Sequence, residues 1–98
     1  MTIEKHRDGS ALTLAPEGRL DTITSPELEK ALKESLDGVS ELTLDFEKLD
    51  YISSAGLRVL LTAQKTINRQ GSMKIVHVCE TIMEIFEVTG FSEILTIE

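Results

Sequence analysis

The chain has 98 residues, 41% of them apolar, and seventeen acidic against ten basic residues give a formal charge of -7. That length supports one hydrophobic core and no second domain, and the acidic balance repels nucleic acid and anionic membrane surfaces, so a protein partner is expected instead. The single cysteine, Cys79, excludes an intrachain disulfide and a cysteine-based metal site, and is expected to be a small buried hydrophobe in a reducing compartment.

Residues 1–9 contain no apolar h-region and no apolar run is long enough to span a bilayer, so a cytoplasmic protein without membrane insertion is expected. Asp8-Gly9 is a favoured turn pair between residues 2–7 and the alternating segment 11–15, which predicts an antiparallel hairpin. Pro16 and Gly18 close its second strand, and residues 18–23 read as a loop. A helix follows, with Thr24 or Ser25 as cap and Pro26 in the first turn. Leu28, Ala31, Leu32, Ser35 and Leu36 mark its inner face, and Gly38 stops it.

Leu42, Leu44 and Phe46 alternate with Glu41, Thr43 and Asp45, the period of a strand buried on one face. Glu47, Lys48 and Asp50 read as a loop. From Ser54 the period turns helical, with Gly56, Leu60, Ala63 and Ile67 on one stripe and Arg58, Thr62, Lys65 and Arg69 on a hydrated one, ending at Gly71. Residues 73–78 predict a strand, with His77 at the edge of the core. Residues 81–89 predict a short helix stopped by Gly90, and 94–97 a final strand. Helices separating the later strands imply parallel crossovers, hence an α/β domain with a mixed sheet, an N-terminal antiparallel hairpin and helices packed on it.

The junction at Ser53-Ser54 places two hydroxyls where a helix begins. Free backbone N–H groups and a partial positive charge collect there, so a serine can cap the helix, touch an anion or carry a phosphate. A nucleophile elbow would need glycine two residues before Ser54, where Ile52 stands, and neither His6 nor His77 has the spacing of a partner base. Two distant histidines and one cysteine offer no metal-ligand cluster, and no Walker or dinucleotide pattern is present, so no metal or cofactor is expected.

Four stretches together resemble the anti-sigma factor antagonist family, the bacterial STAS-domain proteins: Gly18-Arg19-Leu20-Asp21, Leu42-Thr43-Leu44-Asp45-Phe46, Tyr51-Ile52-Ser53-Ser54-Ala55-Gly56-Leu57 and Val88-Thr89-Gly90-Phe91. The resemblance covers nearly the whole length, as one STAS domain over residues 1–98, and its specific signal is the third stretch. It implies a STAS-like fold and a non-catalytic regulator whose unphosphorylated form binds an anti-sigma factor, itself a serine kinase, and so frees the sigma factor. By the family's register the kinase phosphorylates Ser54 and dissociates the complex, and a serine phosphatase restores the active form. Typical regulatory members carry aspartate immediately before the target serine; Ser53 stands there in this chain and is the alternative target. The implied docking surface comprises Asp21, Thr22, Ser53, Ser54, Ala55, Gly56, Leu57 and Arg58. The alternative is a constitutive STAS subunit of a transport or signalling assembly, with Ser54 only capping the helix.

Overall fold

The computed structural model describes all residues 1–98. The hairpin forms from β1 (Ile3–Asp8) and β2 (Ala11–Pro16), paired antiparallel from Ile3 opposite Pro16 to Asp8 opposite Ala11. The two-residue connection is Gly9-Ser10, one position later than the Asp8-Gly9 pair of the sequence reading. Gly9 takes φ +63°, which suits glycine at the first position of a tight hairpin loop. After Glu17 the chain re-enters a short strand, β3 (Gly18–Leu20), and then α1 (Ser25–Ser35). Next come β4 (Glu41–Asp45), β5 (Leu49–Ile52), α2 (Ser54–Ile67), β6 (Ser72–Val76), α3 (Glu80–Thr89) and a 3-10 turn at Phe91–Glu93.

Two sheets result. The larger has the order β1-β2-β4-β6, antiparallel only at β1-β2, and the smaller is the parallel pair β3-β5. Alternation fixes which face of the larger sheet is covered. Leu12, Leu14, Leu42, Leu44, Met73 and Ile75 point into the core, while Thr13, Thr43 and Lys74 point away. The helices add Leu28, Leu32 and Leu36 from α1 and its end, Val59, Leu60, Ala63 and Ile67 from α2, and Ile82 and Phe86 from α3. The small sheet contributes Leu20, Leu49 and Ile52 to the same cluster.

Several expectations need correction. Residues 18–20 form strand β3 rather than a loop, and Asp50, read as loop, lies inside strand β5. Each strand is too short to show a period, and each finds its partner about thirty residues away in the chain. Residues 94–97 do not form a strand; a single parallel bridge joins Ile97 to Ile75 beyond the 3-10 turn. Thr24 stands at the N-cap of α1 but makes no capping hydrogen bond, and Ser25 is buried with its hydroxyl unpartnered. Cys79 is half-buried at the N-cap of α3, and His77 is exposed rather than lodged at the core edge. The predicted stripes on α2 are present, with Gly56, Leu60, Ala63 and Ile67 buried and Arg58, Thr62, Lys65 and Arg69 exposed. Gly90 ends α3 at φ +81°.

Candidate functional site

The parallel pair β3-β5 brings two chain segments to one end of the domain. Leu20 pairs with Ile52, and the Ser53 backbone N–H donates to the Leu20 carbonyl at 2.8 Å. The loop leaving β3 and the first turn of α2 therefore start side by side, although more than thirty residues separate them.

The loop is held by Asp21. Its Oδ1 accepts from the backbone N–H groups of Ile23 and Thr24, both at 3.0 Å, closing an Asx-type turn. Thr24 Oγ1 accepts from the Asp21 N–H at 2.9 Å and donates to the Arg19 carbonyl at 2.6 Å. The Thr24 N–H bond, opposed by partial desolvation and reinforced by the Ile23 N–H, the Thr24 hydroxyl and the Arg19 charge, holds the Asp21 carboxyl below its usual range. Thr22 and Ile23 are left at the tip, and Ile23 is 82% exposed.

At the start of α2 the two serines differ. Ser53 is the N-cap, in extended backbone, and its Oγ accepts from the Gly56 N–H at 3.4 Å. Ser54 is the first helical residue; it is exposed and its hydroxyl makes no hydrogen bond within the protein. Ala55 is half-buried and Arg58, one turn on, is exposed. Gly56 and Leu57 are buried. A Cβ on Gly56 would come within 2.7 Å of Ile52 Cγ1 and 2.9 Å of Leu20 Cγ, so glycine there lets α2 seat its first turn on the small sheet. Of the eight residues the resemblance nominated, the outward ones are thus Thr22, Ser54 and Arg58, with Asp21, Ser53 and Ala55 partly accessible.

Two juxtapositions are not encoded in any local stretch of the sequence. Arg19, opposite Tyr51 in the β3-β5 register, stacks over its ring with the guanidinium carbon 4.3 Å from the centroid. Both residues lie in stretches that carried the resemblance. Elsewhere, Asp45, Glu47 and His77 gather with their ligand-type atoms within 4.8 Å of one another, a cluster that the linear spacing hid. The pairing of Asp45 with Val76 in β4-β6 delivers His77 to the carboxylates from 32 residues away, and Nδ1 lies 2.9 Å from Asp45 Oδ1.

No helix is long and apolar enough to cross a membrane. The STAS domain family model matches residues 2–98. A Bordetella bronchiseptica protein named as a candidate anti-sigma factor antagonist, BtrV, is 35% identical over 83% of this chain and 72% of its own length. The anti-sigma-B factor antagonist of Listeria monocytogenes is 29% identical over 96% of this chain and 84% of its own. Among solved structures, an anti-sigma factor antagonist from Mycobacterium paratuberculosis superposes with a TM-score of 0.88 at 18% identity, covering 98% of this chain and 83% of that one. The antagonist SpoIIAA aligns in its unphosphorylated form with a TM-score of 0.77 and in its phosphorylated form, from Bacillus, with 0.76, both at 14% identity. The unphosphorylated form covers 99% of this chain and 87% of that one, and the phosphorylated form 99% and 91%. The mixed sheet with its N-terminal antiparallel pair and three helices is the fold these structures share. The chain belongs to the STAS domain family and, within it, to the anti-sigma factor antagonists.

Proposed function

We propose that the unphosphorylated chain binds an anti-sigma factor that is also a serine kinase, releasing a sigma factor, and that phosphorylation of Ser54 by that kinase reverses the binding. A serine phosphatase acting on the modified form would restore it. The observation that carries this reading is the state of the Ser54 hydroxyl: exposed, free of internal hydrogen bonds and placed at the first residue of α2 beside the Asp21–Thr24 loop. Ser53 is the poorer target because its oxygen is already engaged as a cap. A phosphate at Ser54 adds about -1.5 to -2 charges at a helix N-terminus, where the macrodipole favours it, so the fold tolerates what a closely fitted partner does not. That SpoIIAA has been solved in unphosphorylated and phosphorylated forms on this fold supports the same reading. The domain acts here as a binding element and performs no catalysis of its own.

The test is binding of the anti-sigma factor from the same bacterium to three forms of the chain. Ser54→Ala binds like the wild type, whereas Ser54→Asp and the kinase-phosphorylated protein bind about tenfold or more weakly. Tandem mass spectrometry of the native protein locates the phosphate on Ser54. Equal binding of Ser54→Asp and Ser54→Ala, with no phosphate in any growth condition, removes the switch. It would favour the second reading, a constitutive STAS subunit, which has in its support the presence of Ser53 where typical regulatory members carry aspartate.

A further inference from the structure

The acidic charge of this chain is not evenly spread. From Tyr51 to Cys79 there is no acidic residue, so all seventeen acids lie outside a stretch that holds Arg58, Lys65, Arg69 and Lys74. Most cations of the chain are engaged. Lys30, Lys33, Lys48 and Lys74 are in ion pairs, Arg7 donates to backbone carbonyls at Gly9, Ser35 and Asp37, and Arg19 stacks on Tyr51. Lys5, Arg58, Lys65 and Arg69 have no such partner, and three of these four stand on the outer face of α2 and its end.

Beside that face runs a groove of about 240 Å³ between α1 and α2. Its floor is apolar, formed by Leu32, Leu36, Val59 and Ala63, and its lip on α2 is Thr62 and Thr66. The lip on α1 carries Glu29 and Lys33, which neutralise each other at 3.1 Å. Ser54, Arg58, Thr62 and Thr66 follow at intervals of four, so they form one ridge of the helix, and the α2 lip of the groove lies on the ridge that begins at the proposed phosphorylation site.

We propose that this groove is a docking surface for an acidic amphipathic segment of the protein partner. Its apolar side chains would enter over Leu32, Leu36, Val59 and Ala63, and its carboxylates would meet Arg58, Lys65 and Arg69. Charge complementarity selects this occupant: three unpaired cations on the exposed face of α2 and its end stand on the solvent side of the Thr62–Thr66 lip of an apolar floor, which suits a helix with one acidic and one apolar face. Nucleic acid fits less well, since the groove offers no aromatic ring on which a base could stack. A lipid surface needs projecting apolar anchors, and the large exposed ones, Ile23, Val88 and Ile94, are not on α2. This inference rests on the partner-binding reading above and gives it a mechanism: a phosphate on Ser54 would face the partner's carboxylates on the same ridge and draw Arg58, one turn away, off the partner.

The experiment is amide chemical-shift mapping of the full, unmodified chain with a synthetic helical peptide bearing leucine on one face and glutamate on the other. A counterpart with lysine for glutamate, a single-stranded DNA oligonucleotide and phosphatidylglycerol vesicles are run beside it. The acidic peptide moves the amides of Leu32, Leu36, Val59, Thr62 and Ala63, and binds about tenfold or more weakly at high salt and in the triple variant Arg58→Glu, Lys65→Glu, Arg69→Glu. Thr62→Trp, which fills the groove without altering charge, removes the same shifts. Equal shifts from the lysine peptide, no shifts from the acidic one, or occupation of the groove by DNA or vesicles instead would overturn the proposal. Because no modification is involved, a failed titration leaves the Ser54 reading standing. A normal titration with equal anti-sigma binding of Ser54→Asp and Ser54→Ala sinks the switch and leaves the groove.

Discussion

Gly56 packs directly against Leu20, leaving no room for a side chain: a Cβ at this position would stand 2.9 Å from Leu20 Cγ and 2.7 Å from Ile52 Cγ1. Both neighbours are fully buried, so neither can swing aside into solvent. Gly56→Ala gains helix propensity of about 1 kcal/mol, yet the overpacking costs about 1–3 kcal/mol. The variant is therefore expected to be neutral to destabilised by up to about 2 kcal/mol in urea denaturation, with shifted amides in Leu20 and Ile52. A clear gain in stability would show that the first turn of α2 has slack.

The two adjacent serines have separable roles. Ser53→Ala removes the oxygen that accepts from the Gly56 N–H, and since that contact is 3.4 Å long its loss should cost about 0.5–1 kcal/mol, the lower part of the capping range. Ser54→Ala changes an exposed hydroxyl with no internal partner and should stay within about 0.5 kcal/mol of wild type. Parallel urea melts check the order. Equal losses would mean that Ser54 shares the cap, which would weaken its standing as a free acceptor of phosphate.

The parts of this fold that could be read from the sequence are those in which one element carries its own signal. Leu42, Leu44 and Phe46 alternate over a full strand, and Gly56, Leu60, Ala63 and Ile67 repeat over a full helix, so period alone places both. β3 and β5 have three and four residues, and Arg19, Asp50 and the neighbouring Lys48 look like loop chemistry. Only their pairing makes them strands, and that pairing is a tertiary fact. The site divides in the same way. Ser53 and Ser54 announce a helix start locally, whereas the stacking of Arg19 on Tyr51 and the approach of His77 to Asp45 depend on strand registers that no local pattern encodes. Gly56 falls on the inner stripe by period alone, whereas the burial of Leu57 follows from how α2 lies on the small sheet.

Asp21 organises the loop through two donors on one oxygen, the Ile23 and Thr24 N–H groups, with the Thr24 hydroxyl 3.2 Å away and its proton directed mainly to the Arg19 carbonyl at 2.6 Å. Asp21→Asn keeps an oxygen acceptor but loses the charge, and Asp21→Ala loses both. The side chain is exposed enough that screening limits its contribution, so the readout is order rather than stability. Amide exchange at Ile23 and Thr24 should be slowest in wild type, faster in Asp21→Asn and fastest in Asp21→Ala. If the loop forms part of the docking surface, anti-sigma binding should weaken in the same order; unchanged exchange in Asp21→Ala would show that Thr24 and the strand end hold the loop unaided.

His77 sits in the left-handed backbone region at φ +57°, unusual for a residue with a side chain, and its ring faces Asp45. The hydrogen bond and charge of Asp45, against slight desolvation and with the help of Glu47, raise the His77 pKa. Desolvation alone would raise that of Asp45, but it is outweighed by the His77 and Glu47 N–H hydrogen bonds and the charges of His77 and Lys48, so the net shift is downward. The raised histidine contributes fully below its unfolded value and loses its contribution as pH climbs through the folded value. The depressed aspartate contributes above its unfolded value and loses its contribution as pH falls through the folded one. The pair is therefore strongest between roughly pH 4 and 6.5. His77→Asn tolerates the same backbone conformation and lacks the titrating ring, which isolates the pair from the strain. Urea melts at about pH 5.5 and about pH 8.5 should show wild type losing stability relative to His77→Asn at the higher pH. A stability difference that does not change between the two pH values would mean that the contact acts as a neutral hydrogen bond, with no folding-linked proton.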